Sequence, residues 1–376
     1  MPSEHLNRRD FLKIGALAGA AAAVTALPLR AHAAPATVTF DECVAMAPQD
    51  MADASGPVSA SWQSILQAAG QIRNPGLRAK VLAVLDNPAP TVTKSIGTSE
   101  KKAIYKELSA KGLIQDVSEA DFLPPVSGAA TAPQPFWSAP GSGYGSHHAY
   151  PGGLCTHTGL NTRVSLALYD GYREVYDYML DRDVVIAAQL LHDLHKPWVF
   201  QWGADGESRT ELSLAGTGEH HPLGVAESIA RKVPAEVVVA QACAHNHPRT
   251  DKDEAQVVGW LTAASIIAGV DPVRYGLLAA DGKTLPLPRR QEGFVTHLGD
   301  HDWVLTVPAN HWVLPVVEKV AVRDYKLSRN DLKAKPFKQF RNYVYSQATI
   351  MGLYETYAAK GEDELVRTIH TIVTPA

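Results

Sequence analysis

The chain has 376 residues, 45% of them hydrophobic and 20% charged, with 28 Gly and 25 Pro. These proportions lie near the globular average and exclude collagen-like, coiled-coil, low-complexity and wholly disordered chains. Lys and Arg number 35 against 39 Asp and Glu, a net charge of -4 with no basic block, which argues against long nucleic acid as a partner.

The N-terminus carries Asn7-Arg8-Arg9-Asp10-Phe11-Leu12-Lys13, then an Ala/Gly-rich run from Ile14 to Leu27, then Ala31-His32-Ala33. This resembles a twin-arginine export signal, cut after residue 33. The resemblance implies contact with the twin-arginine translocation machinery, passage in the folded state with any cofactor already inserted, and a periplasmic or secreted location. The apolar run is too short for a stable membrane span, which needs roughly 20 residues, and no second candidate follows. A retained N-terminal anchor is the alternative. Cleavage leaves a mature chain of net charge about -6. The three Cys, at 43, 155 and 243, form at most one disulfide and lack the paired spacing of a thiolate zinc site.

Residues 34–57 hold few large apolar side chains and read as an arm over the surface. Helical patterns follow at about 60–72, 75–85 and 99–111, the last opened by the cap signal Thr98-Ser99-Glu100. A Pro/Gly/Ser-rich connector, 124–145, contains Phe136 and Trp137, which are expected to lie against the body. From Leu154 to about Leu180 the apolar spacing gives a long amphipathic helix. Further helices are expected at 184–194, 223–232, 235–244 and 254–268, with a loop or short hairpin at 203–218. Residues 280–312 read as a short hairpin or irregular lobe, and the chain closes with helices at about 312–322, 338–359 and 362–373. The predicted fold is mainly α, with a signal at 1–33, an N-terminal helical subdomain and connector at 34–144, a helical array at 145–279 and a C-terminal helical extension with a small irregular or β segment at 280–376.

Of the 15 His, nine fall between positions 147 and 247, where even spacing would place about four. His192-Asp193 ends the apolar run Val184 to Leu191, and an imidazole and a carboxylate there are costly to desolvate unless paired. A divalent metal satisfies both; a buried hydrogen-bonded pair without metal is the other reading.

His147 to Thr158, with its Gly152-Gly153 turn and His157-Thr158, followed by Leu190-Leu191-His192-Asp193-Leu194-His195-Lys196, resembles the HD-domain superfamily of metal-dependent phosphohydrolases. The resemblance spans about 145–275 and implies His157 as first metal ligand, His192 and Asp193 as the signature pair, a ligand from His220-His221 (His221 preferred) and His245 from a fourth block. It thus implies an HD-type helical array holding one or two divalent ions: zinc, manganese, iron or nickel. Two departures stand out. His195 replaces the usual Gly before Lys196, adding an imidazole able to act as a ligand or substrate contact. The closing Asp, expected soon after the fourth block, is replaced by Ser265 or Ala268, so Asp271 is the nearest carboxylate.

The implied activity is hydrolysis of a phosphoester in a small phosphorylated metabolite or nucleotide by metal-activated water, with Lys196 and Asp193 as catalytic residues. The alternatives are a di-iron oxygenase of the same fold and a non-catalytic metal- or ligand-binding protein. Arg163 and Arg274 are further phosphate-contact candidates. Trp198, Phe200 and Trp202 are expected to pack beneath the loop rather than stack a ring, and the stretch 292–303, dense in His and Asp, either caps the site or forms a polar turn.

Overall fold

A computed structural model describes residues 37–288 and 291–375, so the export signal lies outside the described residues. Strand β1 (Val38–Thr39) leads into α1 (Phe40–Ala45), opened by a capping box between Thr39 and Glu42, then α2 (Pro48–Asp53) and α3 (Gly56–Gly70), capped by Ser55. The expectation of a surface arm over 34–57 is therefore corrected for the described residues 37–57. Local caps and a proline at N1 of α2 start short helices here, and Cys43 and Met51 are fully buried. Helices α4 (Pro75–Asp86) and α5 (Thr98–Ala110) follow. The connector after them lies on the body: Phe136 is buried against Trp62, and Trp137 donates to Asp53.

The central array comprises α6 (Gly153–Tyr176), α7 (Arg182–Leu191), the single turn α8 (Lys196–Val199), the hairpin of β2 (Ser213–Leu214) and β3 (Thr217–Gly218), then α9 (His220–Ala230), α10 (Ala235–Ala242), α11 (Asp251–Ala268) and the short α12 (Pro272–Tyr275). Every residue from Val184 to Leu191 is buried, which makes α7 the central helix, packed against α6 and α10.

The C-terminal part differs from expectation at 280–312. Instead of a hairpin the chain forms α13 (Glu292–Gly299) and α14 (Trp303–Asp324). Pro308 and Pro315 obscured α14 in the sequence. Both lie on its exposed face, four residues after the exposed Val304 and His311, so the carbonyls they leave unpaired reach water. The single helix expected over 338–359 is two, α15 (Lys335–Ala348) and α16 (Ile350–Lys360), broken at Thr349 (φ +58°), whose side chain caps α16 through Gly352 N–H. After α17 (Glu362–Ile372), β4 (Val373–Thr374) pairs in parallel with β1.

Two large apolar cores form among the described residues, beside a small cluster of Tyr169, Leu180, Val185 and Val295. One runs from Ala52 to Leu285 and joins the N-terminal helices to the central array across residue 144. The other gathers Cys43, Met51 and Tyr150 with residues from α14 to β4. No helix among the described residues is long and apolar enough to cross a membrane.

One buried ion network ties these parts together and absorbs His195. Glu227 on α9 accepts from Thr91 Oγ1 (2.5 Å), the amide of Val92 (2.8 Å) and Arg231 Nε (2.6 Å), and lies 3.4 Å from His195 Nε2. Burial would raise its pKa, but the bonds from His195, Thr91 and Arg231 outweigh it and hold the carboxyl down at about 2. A depressed carboxylate stabilises the fold above its unfolded pKa and loses that contribution as pH falls through the folded value. Glu227→Gln is accordingly expected to cost about 3 kcal/mol at pH 7. The difference between the two proteins in denaturant melts should shrink steadily below pH 4.5; a constant gap down to pH 2.5 would contradict the assignment.

Candidate metal centre

The turn that opens α6 is built on two glycines. Gly152 takes φ +84°, and a side chain on Gly153 would run into the His148 carbonyl. The closed turn starts α6 so that His157, in its second turn, points at the end of α7, where His192 and Asp193 sit fully buried. The fourth member comes from the far C-terminal side. Gly299 ends α13 against Ser165 of α6 and Gln189 of α7, with no room for a Cβ, and this approach brings Asp300 to the cluster.

His157 Nε2 lies 3.2 Å from Asp193 Oδ2 and 3.0 Å from Asp300 Oδ1. His192 Nε2 lies 3.1 Å and 3.2 Å from the same two oxygens, and the two Nε2 atoms are 3.4 Å apart. The other ring nitrogens are already engaged. His157 Nδ1 donates to Asp302 Oδ1 (2.9 Å) and His192 Nδ1 to the Gln189 carbonyl (2.7 Å). In the neutral rings both Nε2 atoms then present lone pairs to carboxylate lone pairs, an arrangement that requires protons or a cation at its centre.

A second group adjoins the first through Asp193. His220 Nε2 is 3.5 Å from Asp193 Oδ1, while its Nδ1 donates to Glu211 (2.5 Å). His245, stacked edge to face on His220, directs Nε2 toward Asp300 Oδ2 (3.9 Å) and engages Thr217 Oγ1 through Nδ1 (3.3 Å). Asp193, His220 and His245 place one ligand atom each within 4.8 Å of one another, as do His157, His192, Asp193 and Asp300. Asp193 Oδ1 and His220 Nε2 complete no hydrogen bond within the protein, although both are buried. Such a donor set fits one or two divalent transition metals.

Electrostatics agree with the geometry. Burial pushes the imidazoles down, but the surrounding aspartates overcome it, raising His192 to about 9 and His157 well above its ordinary value. Burial would likewise raise Asp193 and Asp300, yet the neighbouring cations hold both well below the usual carboxylate range.

The structure thus brings together His157, His192, Asp193, His220 and His245, and adds Asp300, which the sequence reading missed. His221 faces away: its Nε2 donates to the Ala242 carbonyl (3.0 Å) and its ring stacks on His245 (4.2 Å). Burial and His220 lower His221 to about 3, leaving it neutral. Asp271 stands outside both groups and caps α12 through the amide of Arg274, while Ser265 faces the buried side of α11. Arg163 bonds Ser64 at the surface.

Lys196 is buried between Asp193 Oδ2 (2.6 Å) and the Gly141 carbonyl (2.5 Å). Asp302 clamps two rings, His157 through one oxygen and His148 Nε2 through the other (2.6 Å). The stretch 292–303 therefore does cap the site. The signal for it was the run His297-x-x-Asp300-His301-Asp302. Above the centre opens a cavity of about 460 Å³, lined by Lys196, His147, His297, His301 and three larger rings, Tyr144, Phe200 and Trp303.

Comparison with known proteins gives two matches. The model of the twin-arginine translocation pathway signal sequence matches residues 5–25, which directs the chain out of the cytoplasm to the periplasm or beyond. The dihydroneopterin 2′,3′-cyclic phosphate phosphodiesterase of Methanocaldococcus jannaschii is 30% identical over 207 residues, covering 54% of this chain and 68% of that protein. No solved structure matches. With more than two thirds of that relative matched at this identity, the exported chain belongs to the family of this phosphodiesterase, a family of phosphoester hydrolases.

Proposed function

We propose that the protein is an exported, metal-dependent phosphohydrolase of the HD type that opens small cyclic phosphodiesters. His157, His192, Asp193 and Asp300 would hold one divalent ion and His220 and His245, sharing Asp193, a second; zinc, manganese, iron and nickel all suit these donors. The observation that carries this reading is the convergence of four imidazole Nε2 atoms, three of them from buried rings, on two shared carboxylates at the floor of an open cavity.

Such ions supply an activated water near neutral pH and neutralise charge on phosphoryl oxygens. The chain's own residues fix this arrangement. Asp302, the Gln189 carbonyl and Glu211 set the tautomers of His157, His192 and His220, so that each Nε2 lone pair points inward. Lys196 holds Asp193 and places its cation at the cavity wall, where a phosphate oxygen binds. The relative's named substrate supplies the cyclic ester: water attacks phosphorus, one ester P–O bond breaks, the freed alkoxide takes a proton and a monoester remains.

The test is elemental analysis of the mature protein purified without chelator, joined to hydrolysis of 2′,3′-cyclic AMP. About two transition-metal ions per chain, with turnover lost on chelation and restored by one added metal, are expected. Turnover unaffected by chelation would overturn the reading, and iron-bearing protein without hydrolysis would favour the oxygenase.

A further inference from the structure

The C-terminal lobe contains a buried cation with no carboxylate partner among the described residues. Arg341 on α15 is 1% exposed. Its Nη1 donates to the Ala149 carbonyl (3.1 Å) and to Asn342 (3.3 Å), while Nε and Nη2 make no hydrogen bond. The guanidinium instead lies against two rings, with its carbon 4.3 Å from the centroid of Tyr144 and 4.8 Å from that of Tyr345. Lys338, one turn earlier, approaches the same Tyr144 ring at 5.8 Å and is anchored by Asp205 and Glu207. A cation buried at this cost and directed at an aromatic face serves to fix that ring.

Tyr144 is the ring so fixed, and it belongs to the wall of the metal-centre cavity. It sits in the glycine-rich turn 141–145, where few side chains could hold it otherwise. The next residue back, Gly143, lies against Phe200, which lines the same cavity and touches His220. Trp303, the residue after Asp302, lines the cavity while 45% exposed. A site for a small, wholly polar phosphoester has no use for three such rings beside its charged floor. A planar ring has, because stacking supplies affinity without specific hydrogen bonds.

We propose that Tyr144, braced by Arg341, is the specificity-determining residue of the site and stacks a planar heteroaromatic group carried by the phosphoester. The claim deepens the hydrolase reading and rests on it for the position of the phosphate. Tyr144 would thereby select ring-bearing phosphoesters, the class to which the relative's named substrate belongs, over aliphatic ones.

The test measures binding rather than turnover, on the metal-loaded mature chain, by calorimetry with adenosine 2′-monophosphate and with glycerol 2-phosphate. The wild type is expected to bind the ring-bearing ligand about tenfold or more tightly than the aliphatic one. Tyr144→Ala should erase that preference while leaving affinity for glycerol 2-phosphate within about twofold, and Tyr144→Phe should retain it. Equal affinity of the wild type for both ligands, or a preference that survives in Tyr144→Ala, overturns the proposal. If the preference follows Tyr144 but metal-dependent hydrolysis is absent, the hydrolase reading fails and the stacking subsite stands.

Discussion

Asp300→Ala is expected to strip the protein of metal and activity, whereas Asp271→Ala is expected to do neither. Asp300 touches both halves of the centre: Oδ1 lies within 3.0–3.2 Å of His157 and His192, and Oδ2 faces His245. Asn161 Nδ2 donates to Oδ1 (3.0 Å) and fixes its direction. Removing an outer partner of a metal ligand typically costs about 10- to 100-fold in affinity or activity, so loss of this inner carboxylate should lower kcat/KM by at least about a hundredfold. Metal content should fall below one ion per chain. Asp300→Asn, which keeps the shape but loses the charge, guards against misfolding and should behave the same way. Asp271 only caps a four-residue helix, so its replacement should cost about 1 kcal/mol in a denaturant melt and leave metal content intact. Full metal content in both Asp300 variants would refute the assignment.

The contrast between these two aspartates shows where the sequence was legible. His157, His192 and Asp193 sit in short local motifs, each at the end of a helix whose apolar spacing is plain, and the central helices lie close to where periodicity places them. Asp300 is more than a hundred residues from Asp193 and reaches it only because α13 packs against α6 and α7 through the bare backbone of Gly299. Periodicity says nothing about such a contact. The helix that carries it has eight residues, and the one after it contains two prolines, so both read as irregular. His195 was misleading for the opposite reason. It lies in the motif, yet the local turn directs it to Glu227, and it does not line the cavity. The arm at 34–57 was hidden because its buried residues, Cys43 and Met51, pack on helices near the other end of the chain.

The choice between His220 and His221 tests the same point at the scale of one residue. Adjacent positions on a helix differ by about 100° in direction, so only one of the two rings can face the centre. His220 does, with Nδ1 held by Glu211 and Nε2 toward Asp193; His221 turns to the Ala242 carbonyl and Trp260. His220→Ala is therefore expected to reduce bound metal from two ions to one, held by His157, His192, Asp193 and Asp300. Turnover should drop by at least about a hundredfold, because the remaining site lacks the partner ion that shares the developing charge. His221→Ala should retain two ions and instead lower stability by about 1–3 kcal/mol, through the unpaired Ala242 carbonyl and the space left beside Trp260. Elemental analysis and thermal melts of the two variants, read together, decide the matter. Loss of one ion in His221→Ala with both retained in His220→Ala would reverse the assignment and place the second site on the other side of α9.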